Sequence, residues 1–355
     1  MSFVRPKGIK RAVRIGCALI AAPTVSVLLF AGAANAQFGG IGGVRASSSE
    51  WGNGIRVSDT SYLRLRVIAE AGYDSNVFFN DVAKIDSPTL IITPSFQLTN
   101  EGRDGQSPPF RYGIGAALAY REYLSEDENT KAQRAFNPSV AGSLGYTPSQ
   151  TFSVALIDQF NRLEDAPYQP GLPTIERSNN VGILDFRITP GGGRLQNALR
   201  YTNELDIFHS DAASFGNRKR HEGLLSTSWK WLPKTAIYLD GAVGYIQYLE
   251  TEQARARRKA NSLPYRVVAG LRGLITPKTT VNLGAGYSDA IYEDDVANPS
   301  GASNIFGHLN LTFNFTQTNS LALGYEHRFE DSPFIGDYYD ADQVAVQLNQ
   351  QLGAF

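Results

Sequence analysis

Residues 305–316 read Ile-Phe-Gly-His-Leu-Asn-Leu-Thr-Phe-Asn-Phe-Thr. The odd positions carry Ile305, Gly307, Leu309, Leu311, Phe313 and Phe315, and the even positions include His308, Asn310, Thr312, Asn314 and Thr316. A helix would spread both sets around its circumference. A strand sends successive side chains to opposite faces, so this stretch predicts a strand with one apolar and one polar face. Unbroken alternation over about 10–14 residues exceeds the usual globular strand and fits lipid on one side and water on the other.

The same pattern recurs from Tyr62 onward. Phe110, Tyr112, Ile114, Ala116, Leu118 and Tyr120 alternate with Arg111, Gly113, Gly115, Ala117, Ala119 and Arg121. Phe136, Val140, Leu144 and Tyr146 alternate with small and polar residues, as do Leu321, Leu323, Tyr325 and Phe329, and Val344, Val346, Leu348 and Leu352. Read throughout, the chain holds about 14 strands, within about two, the parity being mixed near Phe152 and Val181. Connections alternate in length. Short ones lie at Thr147–Gln150, Thr189–Gly193, Leu232–Lys234, Thr276–Lys278 and Gln317–Asn319. Long polar ones lie around 74–87, 125–133, 164–177, 210–219, 251–260, 293–303 and 330–340. That rhythm predicts an all-β fold, a closed antiparallel transmembrane β-barrel with short periplasmic turns, long extracellular loops and both chain ends periplasmic. The link from Thr99 to Pro109 is longer than the other turns.

The N-terminal region has another character. Arg5, Lys7, Lys10, Arg11 and Arg14 precede an apolar stretch from Ile15 to Ala33, which ends in Ala34-Asn35-Ala36. This is the layout of a secretory signal peptide over residues 1–36, cut after Ala36; Pro23 argues against a membrane anchor. Cys17 has no lipobox around it. Cys17 and Met1 are unique in the chain, so a processed chain has no sulfur side chain, which excludes disulfides and thiolate metal sites. Its formal charge falls from −1 to −6, since five basic residues and no acid leave. Residues 37–58 are rich in Gly and Ser and predict a flexible arm in the periplasm or lumen, with a plug as one role. The barrel is expected over 59–355. Tyr146, Trp229 and Trp231 near short turns, and Tyr73, Tyr120, Tyr123, Tyr248, Tyr287 and Tyr292 near long loops, are expected to form aromatic girdles.

One stretch carries a family likeness. Ala69-Glu70-Ala71-Gly72-Tyr73-Asp74-Ser75-Asn76-Val77-Phe78 resembles the opening strand of the outer-membrane beta-barrel porin 2 family, whose members continue as hairpins with the same long–short rhythm. The resemblance would span about Tyr62 to Phe355, with the Tyr-Asp-Ser-Asn-Val run as its specific motif. It implies a role in export of extracellular polysaccharide from Gram-negative bacteria, and it brings no catalytic residues. Phe355 resembles the terminal aromatic that barrel-assembly machinery recognises.

No enzyme constellation stands out. His209, His221, His308 and His327 have no metal spacing, although His308 and His327 are expected to face one another across adjacent strands, and Gly191-Gly192-Gly193 lacks the Lys-Ser/Thr and helix of a phosphate loop. No cofactor is expected. The informative residues are mid-strand charges, which cost about 2–4 kcal/mol facing lipid, least for acids, and so belong in a wet lumen. The predicted lining set is Arg64, Arg66, Glu70, Arg111, Arg121, Arg187, Arg200, Glu204, Glu222, Lys230, Arg266, Arg272, Glu326 and Arg328, with Asp185, Asp206 and Asp240 beside them. They form either salt-bridge ladders filling a narrow barrel or a transport path attracting anionic groups.

The long loops mix acids, aromatics and Pro, as in Glu164-Asp165-Ala166-Pro167-Tyr168, and one is basic, Arg255-Ala256-Arg257-Arg258-Lys259. Expected partners are outer-membrane lipid, lipopolysaccharide, the barrel-assembly machinery, and polysaccharide or periplasmic export components; nucleic acid is not expected. The leading expectation is a non-enzymatic porin-like channel or export conduit in the outer membrane of a Gram-negative bacterium. A barrel-surface lipid hydrolase and a structural barrel anchoring envelope partners stay open beside it.

Overall fold

The computed structural model describes residues 24–31, 54–78, 84–100, 108–165, 175–249, 260–293, 304–316, 319–331 and 338–351. Within them one antiparallel sheet forms from β1 (Thr24–Ala31), β2 (Ile55–Arg56), β3 (Ser61–Asp74), β4 (Ser87–Asn100), β5 (Phe110–Tyr123), β6 (Ala135–Ser149), β7 (Phe152–Asp165) and β8 (Ile175–Ile188). It continues with β9 (Leu195–Phe208), β10 (Arg218–Leu232), β11 (Thr235–Tyr248), β12 (Ser262–Thr276), β13 (Thr279–Tyr292), β14 (Asn304–Asn314), β15 (Asn319–Asp331) and β16 (Tyr338–Gln351). Every neighbour from β2 to β16 follows chain order, so the topology is a meander. The long strands β3 to β16 number 14 and run 11–15 residues each.

The binary pattern decides which way each side chain points. Leu65 is 64% exposed and Val67 is 70% exposed, whereas Arg64 between β3 neighbours is 4% exposed. Ile114, Leu144, Leu199, Leu239, Leu283 and Leu348 continue the exposed apolar face around the sheet. Gln97, Ser139, Asn179, Asp185, Glu204, Ser228 and Ser262 are buried on the opposite face. One sheet has no second layer to cover it, so a polar face this buried requires the sheet to curl around that face. An apolar exterior around a polar interior inverts the soluble arrangement and is the pattern of a barrel in lipid.

The short connections stay tight, with local adjustments. Pro233-Lys234 and Pro277-Lys278 are two-residue turns, each next to a register shift, at Lys230/Leu232 and Leu274/Thr276. The Thr147–Gln150 turn is displaced: β6 runs on to Ser149 because the Thr147 N–H donates to the Pro109 carbonyl at 2.7 Å, and the turn is Gln150-Thr151. Pro148 fits there because it falls in a register shift, where the ladder asks no donor of it. Gly191, Gly192 and Gly193 all have φ between 64° and 85°, a left-handed run that glycine adopts without steric cost. On the longer β4–β5 link, Asn100 extends the ladder with its side chain, donating to the Phe110 carbonyl at 2.8 Å and accepting from Tyr112 N at 2.7 Å.

The seam between β3 and β16 is the departure from a closed cylinder. Among the described residues no ladder joins these strands; β16 pairs with β1, and β3 carries the two-residue β2. Thr24–Ala31 belongs to the expected signal peptide, and Ile55–Arg56 to the expected arm. The leader's basic start, its cleavage site, most of the arm, Arg255–Lys259 and Phe355 lie outside the described residues.

Candidate functional site

Strands β8 to β12 present eight basic groups on the inner face: Arg177, Arg187, Arg200, Arg218, Arg220, Lys230, Arg266 and Arg272. Five carboxylates share that face: Asp185, Glu204, Asp206, Glu222 and Asp240. Register is what gathers them, since residues directly opposite in a ladder point to the same side. Arg218 lies opposite Asp206, Arg220 opposite Glu204, and Arg200 opposite Asp185.

Three of the acids are each held between two arginines. Near the long-loop end, Arg177 donates from Nε (2.9 Å) and Nη2 (2.5 Å) to Asp206 Oδ1, and Arg218 Nε reaches Oδ2 at 3.3 Å. Lower down, Arg220 Nη2 donates to Glu222 Oε2 at 2.6 Å, and Arg266 forks onto both oxygens at 3.1 and 2.8 Å. Toward the short turns, Arg187 Nε (2.6 Å) and Arg200 Nε and Nη2 (3.0 and 2.8 Å) converge on Asp185. Each triad keeps one net positive charge. Asp206 and Asp185 are buried and Glu222 is partly so, but the arginines become more exposed toward the short turns: Arg177 7%, Arg266 38%, Arg187 55%. The wall therefore opens at its short-turn end.

A cavity of about 380 Å³ lies there, lined by Asp185, Arg187, Thr189, Gln196, Arg200, Leu224, Ser226, Ser228 and Arg272 among others. Arg272 stacks 5.5 Å above the Tyr238 ring, and the Tyr238 hydroxyl meets His308 Nε2 at 3.0 Å. That ring lies across β12 and β13 where Gly270 and Gly284 leave no Cβ in its way.

The other expected lining residues sit around the sheet. Arg64 donates to Thr99 Oγ1 at 2.8 Å, and Arg121 to the Glu164 carbonyl at 2.9 Å. Arg66 lies opposite Ser95, Glu70 opposite Ile91, Arg111 opposite Gly145, and Glu326 opposite His308. Arg328 is opposite Ala341, and its side chain is outside the described part. Arg177, Arg218 and Arg220 were missed by the sequence reading. Their signal was present, since Arg218, Arg220 and Glu222 share one parity, but the surrounding Lys219 and His221 hide the apolar alternation.

Several expectations need correction. His308 and His327 do not meet: Glu326 is opposite His308 and Gly307 is opposite His327, so the two rings face opposite sides. Tyr123, Tyr248 and Tyr292 are buried on the inner face and are no part of an outer girdle. Tyr73, Tyr146, Trp229, Trp231 and Tyr287 are exposed. The mixed parity of β7 has a cause: Asp158 is exposed on the outer face between Gly142 and Gly182, accepting from Asn180 Nδ2 at 3.2 Å.

The long-loop end is capped from within. Val77 and Phe78, just past β3, have no exposure and pack with Tyr123 and Ile85. Their backbone is pinned by Val77 N–H to the Ile85 carbonyl at 2.8 Å. In the β5–β6 connection, hydrogen bonds from the Thr130 hydroxyl and N–H hold the Asp127 carboxyl below its usual range. Its contribution is present at neutral pH and lost as pH falls below the ordinary carboxylate range.

Chemistry beyond binding finds little support among the described residues. No group of three or more His, Asp or Glu is placed to hold a metal. Ser178 Oγ and His209 Nε2 lie 2.8 Å apart, the spacing of a nucleophile and its base. Among the described residues no carboxylate or amide is hydrogen-bonded to the other ring nitrogen.

No family model matches the chain, and no curated protein matches it. Among solved structures, the outer-membrane channel DcaP of Acinetobacter baumannii is similar at 11% identity and a TM-score of 0.42, over 84% of this chain and 99% of that one. A bacterial polysaccharide outer-membrane secretin is similar at 12% identity and a TM-score of 0.42, over 82% and 91%. A Pseudomonas aeruginosa FadL homologue is similar at 10% identity and a TM-score of 0.37, over 82% and 88%. Likenesses this distant do not establish a shared fold or activity, and the fold rests on the sheet described above.

Proposed function

We propose that the chain is an outer-membrane channel or export conduit of a Gram-negative bacterium, favouring anionic cargo, with extracellular polysaccharide as the cargo class. The stack of three Arg–carboxylate–Arg triads inside an apolar-faced curled sheet carries this reading. The apolar outer face suits lipid, and a wall with eight basic groups against five acids sets a positive potential for anions. The family resemblance at Tyr73–Val77 supports the polysaccharide assignment. In this reading the leader is removed after Ala36 and the termini are periplasmic.

Loss of the leader also frees the edge of β16. Val27 to Ala31 is apolar at every position, whereas β3 alternates as a barrel strand must. With 14 long strands, β3 and β16 run antiparallel and can complete the ladder. Cysteines at Val67 with each of Val344, Val346 and Leu348 in the processed chain are expected to give one efficient disulfide. No disulfide from any pair would count against closure.

Planar bilayers test conduction. Purified protein is expected to pass steady current with a reversal potential showing anion preference under a salt gradient, reduced when Arg187, Arg200 and Arg266 are replaced by glutamine. Silence across a wide voltage range would sink the conduit. Fatty-acid release from outer-membrane lipid, lost in Ser178→Ala, would turn the assignment toward the surface hydrolase.

A further inference from the structure

We infer that the cavity at the short-turn end of β8, β9, β10 and β12 is a binding subsite for a carboxylate-bearing sugar unit, so that the conduit selects acidic over neutral glycan. This rests on the conduit reading and gives its cargo a chemistry.

Charge is the first argument. Arg187, Arg200 and Arg272 line the cavity against the carboxylate of Asp185, with Asp240 set behind Ser226, so the basic groups outnumber the acids three to two. Both oxygens of Asp185 are already taken, one by Arg187 and the other by Arg200. Arg187 spends only its Nε there, so its two Nη groups have no protein acceptor among the described residues. Arg272 has no carboxylate within salt-bridge distance among those residues, and its plane is set by Tyr238 rather than by an acid. Planar guanidinium forks with free donors match a carboxylate, and a fork already oriented loses less entropy on binding.

Preorganisation is the second. Tyr238 is itself held, by His308 Nε2 at 3.0 Å and the Leu283 carbonyl at 3.3 Å, over the bare backbone of Gly270 and Gly284. Arg272 therefore rests on a ring fixed from two further strands, β13 and β14. A merely solvated lumen arginine would have no such support.

The rest of the lining separates a sugar acid from a simple ion. Gln196, Ser228 and Thr189 offer neutral donors and acceptors, and Leu224 offers an apolar surface. That mixture suits a ring with hydroxyls on its edge and C–H groups on its face. The volume of about 380 Å³ falls within the range of about 300–1,000 Å³ typical of small-molecule sites, more than a bare oxyanion needs. The place also fits, because the wall is most open at this end, where cargo from the periplasm would enter.

The test uses full-chain protein purified in micelles, titrated by calorimetry with trigalacturonate, maltotriose and inorganic phosphate. Saturable trigalacturonate binding is expected, at least tenfold tighter than either other probe. Arg272→Gln should weaken it at least tenfold, and Arg272→Lys should recover part of the loss, because charge returns without the fork. Heat-modifiable migration on gels reports whether each variant is folded. Equal binding of maltotriose, or an unchanged affinity in folded Arg272→Gln, would overturn the site. Phosphate binding as tightly as trigalacturonate would overturn the sugar assignment and leave a plain oxyanion site. Bilayer recordings on the same preparations keep the two readings apart. Binding without current removes the conduit and keeps the site, and current without binding does the reverse.

Discussion

Replacing Asp206 by alanine is expected to cost about 3–5 kcal/mol of stability, measured by denaturant unfolding in micelles. Asp206 is 1% exposed, and its two partners, Arg177 and Arg218, are also largely out of water. Removing the carboxylate takes from the buried Arg177 the charge that offsets its desolvation, and from Arg218 one of its partners. Asn179 loses an acceptor as well, since its Nδ2 donates to Asp206 Oδ1 at 2.7 Å. Replacing the whole triad together, Arg177→Met, Asp206→Leu and Arg218→Met, should be close to neutral for stability, because the desolvation cost leaves with the charges. A loss below about 1 kcal/mol in Asp206→Ala would show that water reaches this triad and that it is no drier than an exposed ion pair.

The second large effect is expected at the opposite mouth. Phe78→Ala should remove about 3–5 kcal/mol from the docking of its segment, the usual cost of deleting a fully buried phenyl ring. Tyr123 and Ile85 then lose the largest member of the cluster and keep Val77. The cluster sits on the inner face at the long-loop end, so under the proposed conduit its loss is expected to widen that mouth. Unit conductance in bilayers should rise relative to wild type. A cysteine at Val77, unreactive while buried, should become open to a water-soluble maleimide once Phe78 is truncated. Unchanged conductance together with a still-protected Val77→Cys would show that the cluster neither narrows the path nor depends on Phe78. The Gly/Ser-rich arm was expected to be a flexible linker, with a plug as one role, and most of it lies outside the described residues. Val77 and Phe78, which read as the start of an ordinary long loop, are buried against Tyr123 and Ile85 just past the first long strand.

Much of the architecture was legible because lipid and water impose a period of two on every spanning strand. The strand expected at Ile305–Thr316 is present as β14, which ends at Asn314, and the count of long strands was likewise legible from alternation. Where the rule weakens, the reading weakens with it. Asp158 and Asn180 place polar groups on the outer face of β7 and β8, which blurs the parity there. Near the loop ends alternation says little, because inner and outer faces are both wet. Tyr123, Tyr248 and Tyr292 were therefore assigned to the girdle although they point inward.

What sequence by itself determined was the face of residues in the middle of the strands, where charges such as Arg200, Glu222 and Arg272 sit apart from the apolar surface. That follows from strand geometry, which needs no knowledge of the partner strand. Arg187 with Asp185 and Arg220 with Glu222 meet along one strand, but which charges meet across strands was decided by register, a property of pairs of strands. Arg266 reaches Glu222 across β11, from 44 positions away, and Tyr238 reaches His308 from 70 positions away. A slip of two residues would keep every face and break every triad. The same register sets His308 against Glu326 and His327 against Gly307, an arrangement no spacing along the chain reveals.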